Sequence, residues 1–204
     1  MKGKKTLIAL AASLLLVVFV AACSSTPKVT RIGVEEVVDL SGMWNDTDSR
    51  LVSEEMIRDA LDRDWLPEFK AKTGKKPRVI VGQVLNRSHE HINTQTFVKD
   101  LERELTNSGK VRFVASSEQR GEIREERRDQ AKHASMETIK GPGQEYGADF
   151  MVKGQINTIL DEAGKTRLKY YQVELEMIDI ATNEKVWIGQ KKIKKVVERP
   201  RGKF

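Results

Sequence analysis

The chain has 204 residues, of which 32% are charged, and 36 basic against 30 acidic side chains give a formal charge of +6. That surface is highly charged but only mildly basic, which argues against nucleic acid as a partner, and aromatic residues at 6% leave few rings for stacking on sugars or bases. A single cysteine excludes an internal disulfide, so the fold rests on its core alone.

Lys2, Lys4 and Lys5 precede an uncharged apolar run from Leu7 to Ala22, the layout of a secretory signal and too short for a comfortable permanent span. The run stops at Val20-Ala21-Ala22-Cys23. Loss of residues 1–22 removes three lysines and no acid, so the net charge falls to +3. Residues 23–36 hold Ser, Thr, Pro and isolated apolar residues without a lasting period. They read as a short tether, whose extended reach is about 40–45 Å. Residues 37–204 are enough for one domain with a sizeable core.

Asp48 or Ser49 can cap a helix that carries Val52, Met56, Ile57, Ala60, Leu61 and Trp65 on one face, with Pro67 as a stop or kink. Residues 73–77 (TGKKP) make a turn. Residues 78–85 (RVIVGQVL) are apolar on both alternating faces, Val79 and Val81 on one and Ile80 and Val84 on the other, as expected of a central strand covered on two sides. Asn93 or Thr94 then caps a helix with a Phe97, Val98, Leu101, Leu105 stripe and Gly109 as its left-handed terminator. A second strand, 110–115, completes a strand–helix–strand unit, for which a right-handed parallel crossover is the expectation.

Ser116 and Gln119 fit a capping box that opens a charged surface helix to about Ala134. Arg120, Arg124 and Arg128 repeat one sign at four-residue spacing, which weakens an isolated helix, so a tertiary contact or a partner must hold it. After Gly141-Pro142-Gly143, a short helical turn through Tyr146 leads into a strand over 148–160, in which Phe150, Val152 and Ile156 share a face. Residues 161–165 turn the chain. The next strand alternates Tyr171, Val173, Leu175 and Met177 with Gln172, Glu174 and Glu176, so one side packs and the other meets water. After the reversal at 181–184, residues 185–193 return, with Val186 and Ile188 opposite Trp187, ahead of a basic tail. The fold class is therefore α/β (α+β): a single domain with a mixed sheet, a parallel βαβ unit first, a C-terminal antiparallel three-stranded meander, and packed helices.

Val20-Ala21-Ala22-Cys23 resembles the lipobox of bacterial lipoproteins, which implies cleavage before Cys23 and a covalent lipid on its thiol. Ser24 resembles the signal for onward sorting to the outer membrane. Such an anchor holds durably, since each buried methylene contributes about 0.8 kcal/mol. Residues 79–116 resemble the core of the LpoB family of penicillin-binding-protein activators: a strand ending in Asn86-Arg87-Ser88, a helix with Leu101 and Leu105, Asn107-Ser108-Gly109-Lys110, and a strand containing Phe113-Val114. Gly147-Ala148-Asp149-Phe150 is similar to that family's strand opening, and residues 179–187 (DIATNEKVW) to its final hairpin. The resemblance covers about residues 76–197. It implies a periplasmic domain of the TolB N-terminal type, tethered to the outer membrane, that binds and stimulates a peptidoglycan synthase and is not itself an enzyme. A long Pro-rich linker is usual in enterobacterial members, and the tether here is short.

His89-Glu90-His91 invites a metal reading, but two histidines do not close a site and His133 lies in the charged helix, so these read as loop residues and no metal or other cofactor is expected. Asn86 and Ser88 fit a loop-building role, and Arg87, at a strand end, is a candidate partner contact together with them and with Arg120, Arg124 and Arg128. Tyr170, Tyr171 and Trp187 read as sheet packing. Lys191, Lys192, Lys194, Lys195, Arg199, Arg201 and Lys203 form a tail that could touch anionic lipid or wall polymer, or belong to a solvated edge strand. The competing reading is a structural or assembly lipoprotein of an envelope or secretion complex, similar to the curli-secretion lipoprotein. A wall hydrolase would need an acid pair or metal site that these residues do not assemble.

Overall fold

Three strands of fourteen residues each dominate the molecule: β3 (Phe150–Ala163), β4 (Thr166–Asp179) and β5 (Lys185–Glu198). The computed structural model describes residues 29–33, 36–140, 143 and 145–198, so the signal at 1–22, Cys23 and the end of the basic tail lie outside the described residues. Residues Val37–Phe204 form a compact unit distinct from Met1–Glu36. No helix among the described residues is long and apolar enough to cross a membrane.

The three long strands form an antiparallel meander. Its first hairpin closes on Gly164-Lys165, and its second is held by Asp179 Oδ1, which accepts the amides of Ala181 and Thr182 at 2.8 and 3.1 Å. β1 (Arg78–Arg87) lies parallel to β3, and β2 (Arg112–Phe113) lies parallel to β1, so the sheet order is β2-β1-β3-β4-β5. Alternation in β4 puts Tyr171, Val173, Leu175 and Met177 on one face without exposure. On that inner face lie α1 (Asp46–Leu61), α2 (Trp65–Thr73) and α3 (Thr94–Asn107). The α3 stripe Phe97, Val98, Leu101 and Leu105 is buried as its spacing predicts, each side chain contributing about 1.5–3 kcal/mol. Trp65 and Phe69 of α2 meet Phe150 with ring centroids 4.8 and 5.4 Å apart.

Several expectations are corrected. The cap of α1 is Asn45 and not Asp48 or Ser49: Asn45 accepts the amide of Asp48, whose carboxylate accepts the amide of Asn45, so Asp48 is the reciprocal half of a capping box. Pro67 does not stop a helix; it sits in the first turn of α2, where a missing N–H costs nothing. β1 is covered on one side only. One extra residue between Val81 and Val84 shifts its register against β3, which returns Val84 to the inner face with Val79 and Val81. The strand expected at 110–115 pairs only at Arg112 and Phe113.

Residues 145–148 hold no helical turn; a turn at Ser135–Ile139 precedes them instead. The turn expected at 161–165 narrows to Gly164-Lys165, because β3 and β4 stay paired as far as Ala163 and Thr166. Finally, the tail is not a tail up to residue 198. β5 continues to Glu198 paired along β4, with Lys191 and Lys195 facing inward. As read from the sequence, α4 (Ser117–His133) opens on the Ser116–Gln119 capping box and buries no residue.

Candidate partner-binding surface

β1 delivers Asn86-Arg87-Ser88 to the end of the sheet, where the loop builds itself from its own side chains. Asn86 Nδ2 donates to the Glu90 carbonyl at 2.8 Å, while Asn86 Oδ1 accepts from the Ser88 amide at 2.9 Å and from its hydroxyl at 2.6 Å. The first two bonds each satisfy a backbone group that the turning chain would leave unpaired. Arg87 takes no part in this. It is exposed, beside Asn157 of β3 on the outer face.

The arginines of α4 sit elsewhere. Arg124 grips Glu145 with two bonds of 2.9 and 2.8 Å, and Arg127 adds a third at 3.3 Å. The hydrogen bonds from Arg124 hold the Glu145 carboxyl below its usual range despite some desolvation, and the same contact raises the guanidinium further. Arg128 Nε donates to the Arg124 carbonyl at 3.3 Å, and Arg120 adds a weaker attraction to Glu145. The next residue, Tyr146, carries the Arg78 guanidinium 4.1 Å from its ring centroid, which places this cluster by the first residue of β1. Arg87 is the last residue of that strand, roughly 30 Å away at about 3.3 Å per residue. The six candidate contacts therefore form two separate groups, and in the second the like-charged helix is held by Glu145.

Behind the Asn86 loop lies a cluster that sequence reasoning missed. Lys169 of β4 and Lys195 of β5 are directly opposed across the ladder, both on the inner face, with side chains only 6% and 8% exposed. Two like charges in that register repel, and burial removes the water that would screen them. Glu90 answers Lys169 at 2.7 Å and accepts both the Tyr171 hydroxyl and the Trp44 amide. Asp48 answers Lys195 at 2.6 Å, joined by Asp39 at 2.7 Å. Desolvation pushes the Asp48 carboxyl up more than its partners pull it down. At Glu90 desolvation is again the largest effect, but the donors Lys169, Trp44 and Tyr171 together outweigh it and the carboxyl lies below its usual value. The Tyr171 hydroxyl is pushed up by burial and by Glu90.

His89 lies in the exposed loop after β1, as read, and bonds Thr158 through both its amide and its ring, and His133 pairs with Asp129 on α4. Among the described residues no group of three or more His, Cys, Asp or Glu could hold a metal ion. The outer face of the meander is open. There Glu174 accepts from Gln155, Gln172 and Gln190 at 2.8, 2.6 and 3.3 Å, and these donors, Gln155 first, hold its carboxyl low. Tyr170 bonds Gln172 and lies under Lys194, 5.9 Å from the ring centroid, while Ile159 beside it is exposed. The sheet packing expected of Tyr171 and Trp187 is present; Tyr170 lies on the open side.

The fold is similar to that of the LpoB C-terminal domain from Salmonella enterica, at 16% identity over 72% of this chain and 98% of that one with a TM-score of 0.43. The NMR structure of LpoB from E. coli gives 16% identity, 87% and 84% coverage and a TM-score of 0.41. Lipoprotein GNA1162 from Neisseria meningitidis gives 10%, 61% and 87%, and 0.40. No curated protein matches the chain significantly. The family model for the peptidoglycan-synthase activator LpoB matches residues 48–193, from the first turn of α1 into β5. With every element from β1 to β4 inside that match, the chain belongs to the LpoB family of peptidoglycan-synthase activators.

Proposed function

We propose that this chain is an outer-membrane lipoprotein, lipidated on Cys23 and facing the periplasm, that binds a bifunctional penicillin-binding protein and stimulates its synthesis of peptidoglycan. The observation that carries this reading is the family match from the first turn of α1 into β5. The signal-like leader ending at Cys23 supports the anchor. The chain acts by docking and not by catalysis, as an activator of another enzyme. Within it, Arg87 is the best placed of the candidate contacts, since it is exposed on the open face and its neighbours Asn86 and Ser88 fix the loop beside it.

The test is to mix the purified full chain with each bifunctional synthase of the same cell and to measure complex formation and the rate of glycan polymerisation. A direct complex and a faster synthase are expected. If no synthase is bound or accelerated, the reading fails and an assembly role in an envelope complex takes its place. Mass spectrometry of the native protein tests the anchor separately: the expected first residue is a lipid-bearing Cys23.

A further inference from the structure

Residues 37–44 enter α1 as an irregular segment laid over the β4–β5 end of the inner face. Little apolar burial holds it, for Val37, Leu40 and Met43 are exposed and Trp44, edge-on to Phe97 and Tyr171, is its main apolar anchor. The fasteners are polar. Asp39 bonds Lys195, the Met43 carbonyl accepts from Lys195 at 3.2 Å, the Gly42 carbonyl accepts from Tyr171 at 3.2 Å, and the Trp44 amide donates to Glu90 at 3.1 Å. Gly42 has φ +64° and lies so close to Val197 that a Cβ would stand 2.3 Å from its Cγ2, so only glycine lets the segment lie flat.

Each buried group that grips this segment also has a partner that stays behind. Lys195 keeps Asp48 of α1, and Glu90 keeps Lys169 and Tyr171. Lifting residues 37–44 therefore strands no unpaired charge in the interior, the cost that ordinarily makes a buried ion pair cooperative with its surroundings. Asn45 keeps its bond to the Asp48 amide, so α1 remains capped.

We propose that residues 37–44 are a releasable strap, a stored length of chain that opens on its own while the sheet and α1 stay folded. Eight extended residues have a contour of about 25–30 Å, at roughly 3.3–3.6 Å each, so release adds at most that length, less the span the segment already covers, to a tether whose own reach is about 40–45 Å. Under the anchored reading above, on which this use of the strap rests, release lengthens the radius over which the domain can meet its synthase.

Hydrogen exchange on the full chain tests the strap without any synthase. The amides of residues 37–44, Trp44 above all, should exchange through an opening of their own, at least tenfold faster than those of β4 and β5. Asp39→Asn should speed the strap at least tenfold more and leave β4 and β5 unchanged, while Glu55→Gln, in the pair that Lys191 makes with α1, should leave the strap unchanged. Pulling the full chain by handles at residues 29 and 198 should show an extension of at most about 25–30 Å at a lower force than unfolding of the sheet. Exchange of strap and sheet in one common event, or a single rip with no earlier extension, overturns the proposal. Failure to capture a synthase would sink the functional reading and leave these results standing.

Discussion

Tyr170 and Tyr171 are neighbours in β4, yet one lies half-buried on the outer face beneath Lys194 and the other is fully buried with its hydroxyl on Glu90. The same split runs along the meander. Lys169 and Lys195 point inward and are locked by carboxylates from the β1–α3 loop, α1 and the strap, whereas Lys192 and Lys194 point outward into water. Residue type does not separate the two faces; strand parity and the arrival of distant partners do. A polar inner end that is fully paired fixes how five separate segments meet, and an outer face of amides and lysines is left free to meet something else.

The largest expected break in this contrast comes from removing one side of the buried pairs. Glu90→Gln leaves Lys169 without its counter-charge and should cost about 3–5 kcal/mol in denaturant unfolding, while Lys194→Met on the outer face should stay within about 0.5 kcal/mol. Leu101→Ala, in the apolar part of the same inner face, should cost about 2–5 kcal/mol by the same measurement. If Glu90→Gln proved as mild as Lys194→Met, the inner charges would not be structural. A smaller pair sharpens the parity argument. Tyr171→Phe removes the one hydroxyl donor that reaches both Glu90 oxygens and should cost about 1–3 kcal/mol, against no measurable loss for Tyr170→Phe.

Acid titration separates the two buried carboxylates by sign. Glu90 has a folded pKa below 4.5, so its contribution is complete above pH 4.5 and is lost as pH falls through the lower folded value. Asp48 has a folded pKa above 3.8, so its contribution is complete below pH 3.8 and is lost as pH rises through the higher folded value. The two slopes oppose each other. Glu90→Gln should flatten the acid side of the stability curve and Asp48→Asn should steepen it; slopes that moved the same way would contradict the assignment. Arg87→Glu is likewise expected to leave unfolding unchanged within about 0.5 kcal/mol yet to weaken synthase binding at least tenfold in a direct titration.

Much of this architecture was legible from local pattern. The alternation around Tyr171–Met177, the 3.6-residue stripe of α3 and the Ser116–Gln119 box each state their structure within a few residues, because each is a short-range consequence of pleat, pitch or unpaired amides. The buried lysines were not legible. Nothing near Lys195 announces that Asp39 and Asp48, more than a hundred positions away, will close on it, and a run of lysines ordinarily reads as solvated edge. Glu90 was hidden in the same way, by two histidines that drew attention to metal chemistry. Of the candidate contacts, the loop-building roles of Asn86 and Ser88 could be read from their types and spacing. The grip of Arg124 on Glu145 could not, since it depends on how the chain returns after α4.

The additional residue in β1 acts like a phase reset in a two-beat rhythm. Counted straight from Val79, strict alternation would send Leu85 and Arg87 toward the helices and Asn86 toward solvent; the offset after Val81 reverses all three. Deleting Gln83 would therefore leave every later side chain on its present face, whereas deleting Leu85 would turn the Arg87 guanidinium into the layer now occupied by Ile156. Two single-residue losses, two positions apart, would have opposite meanings for the same loop.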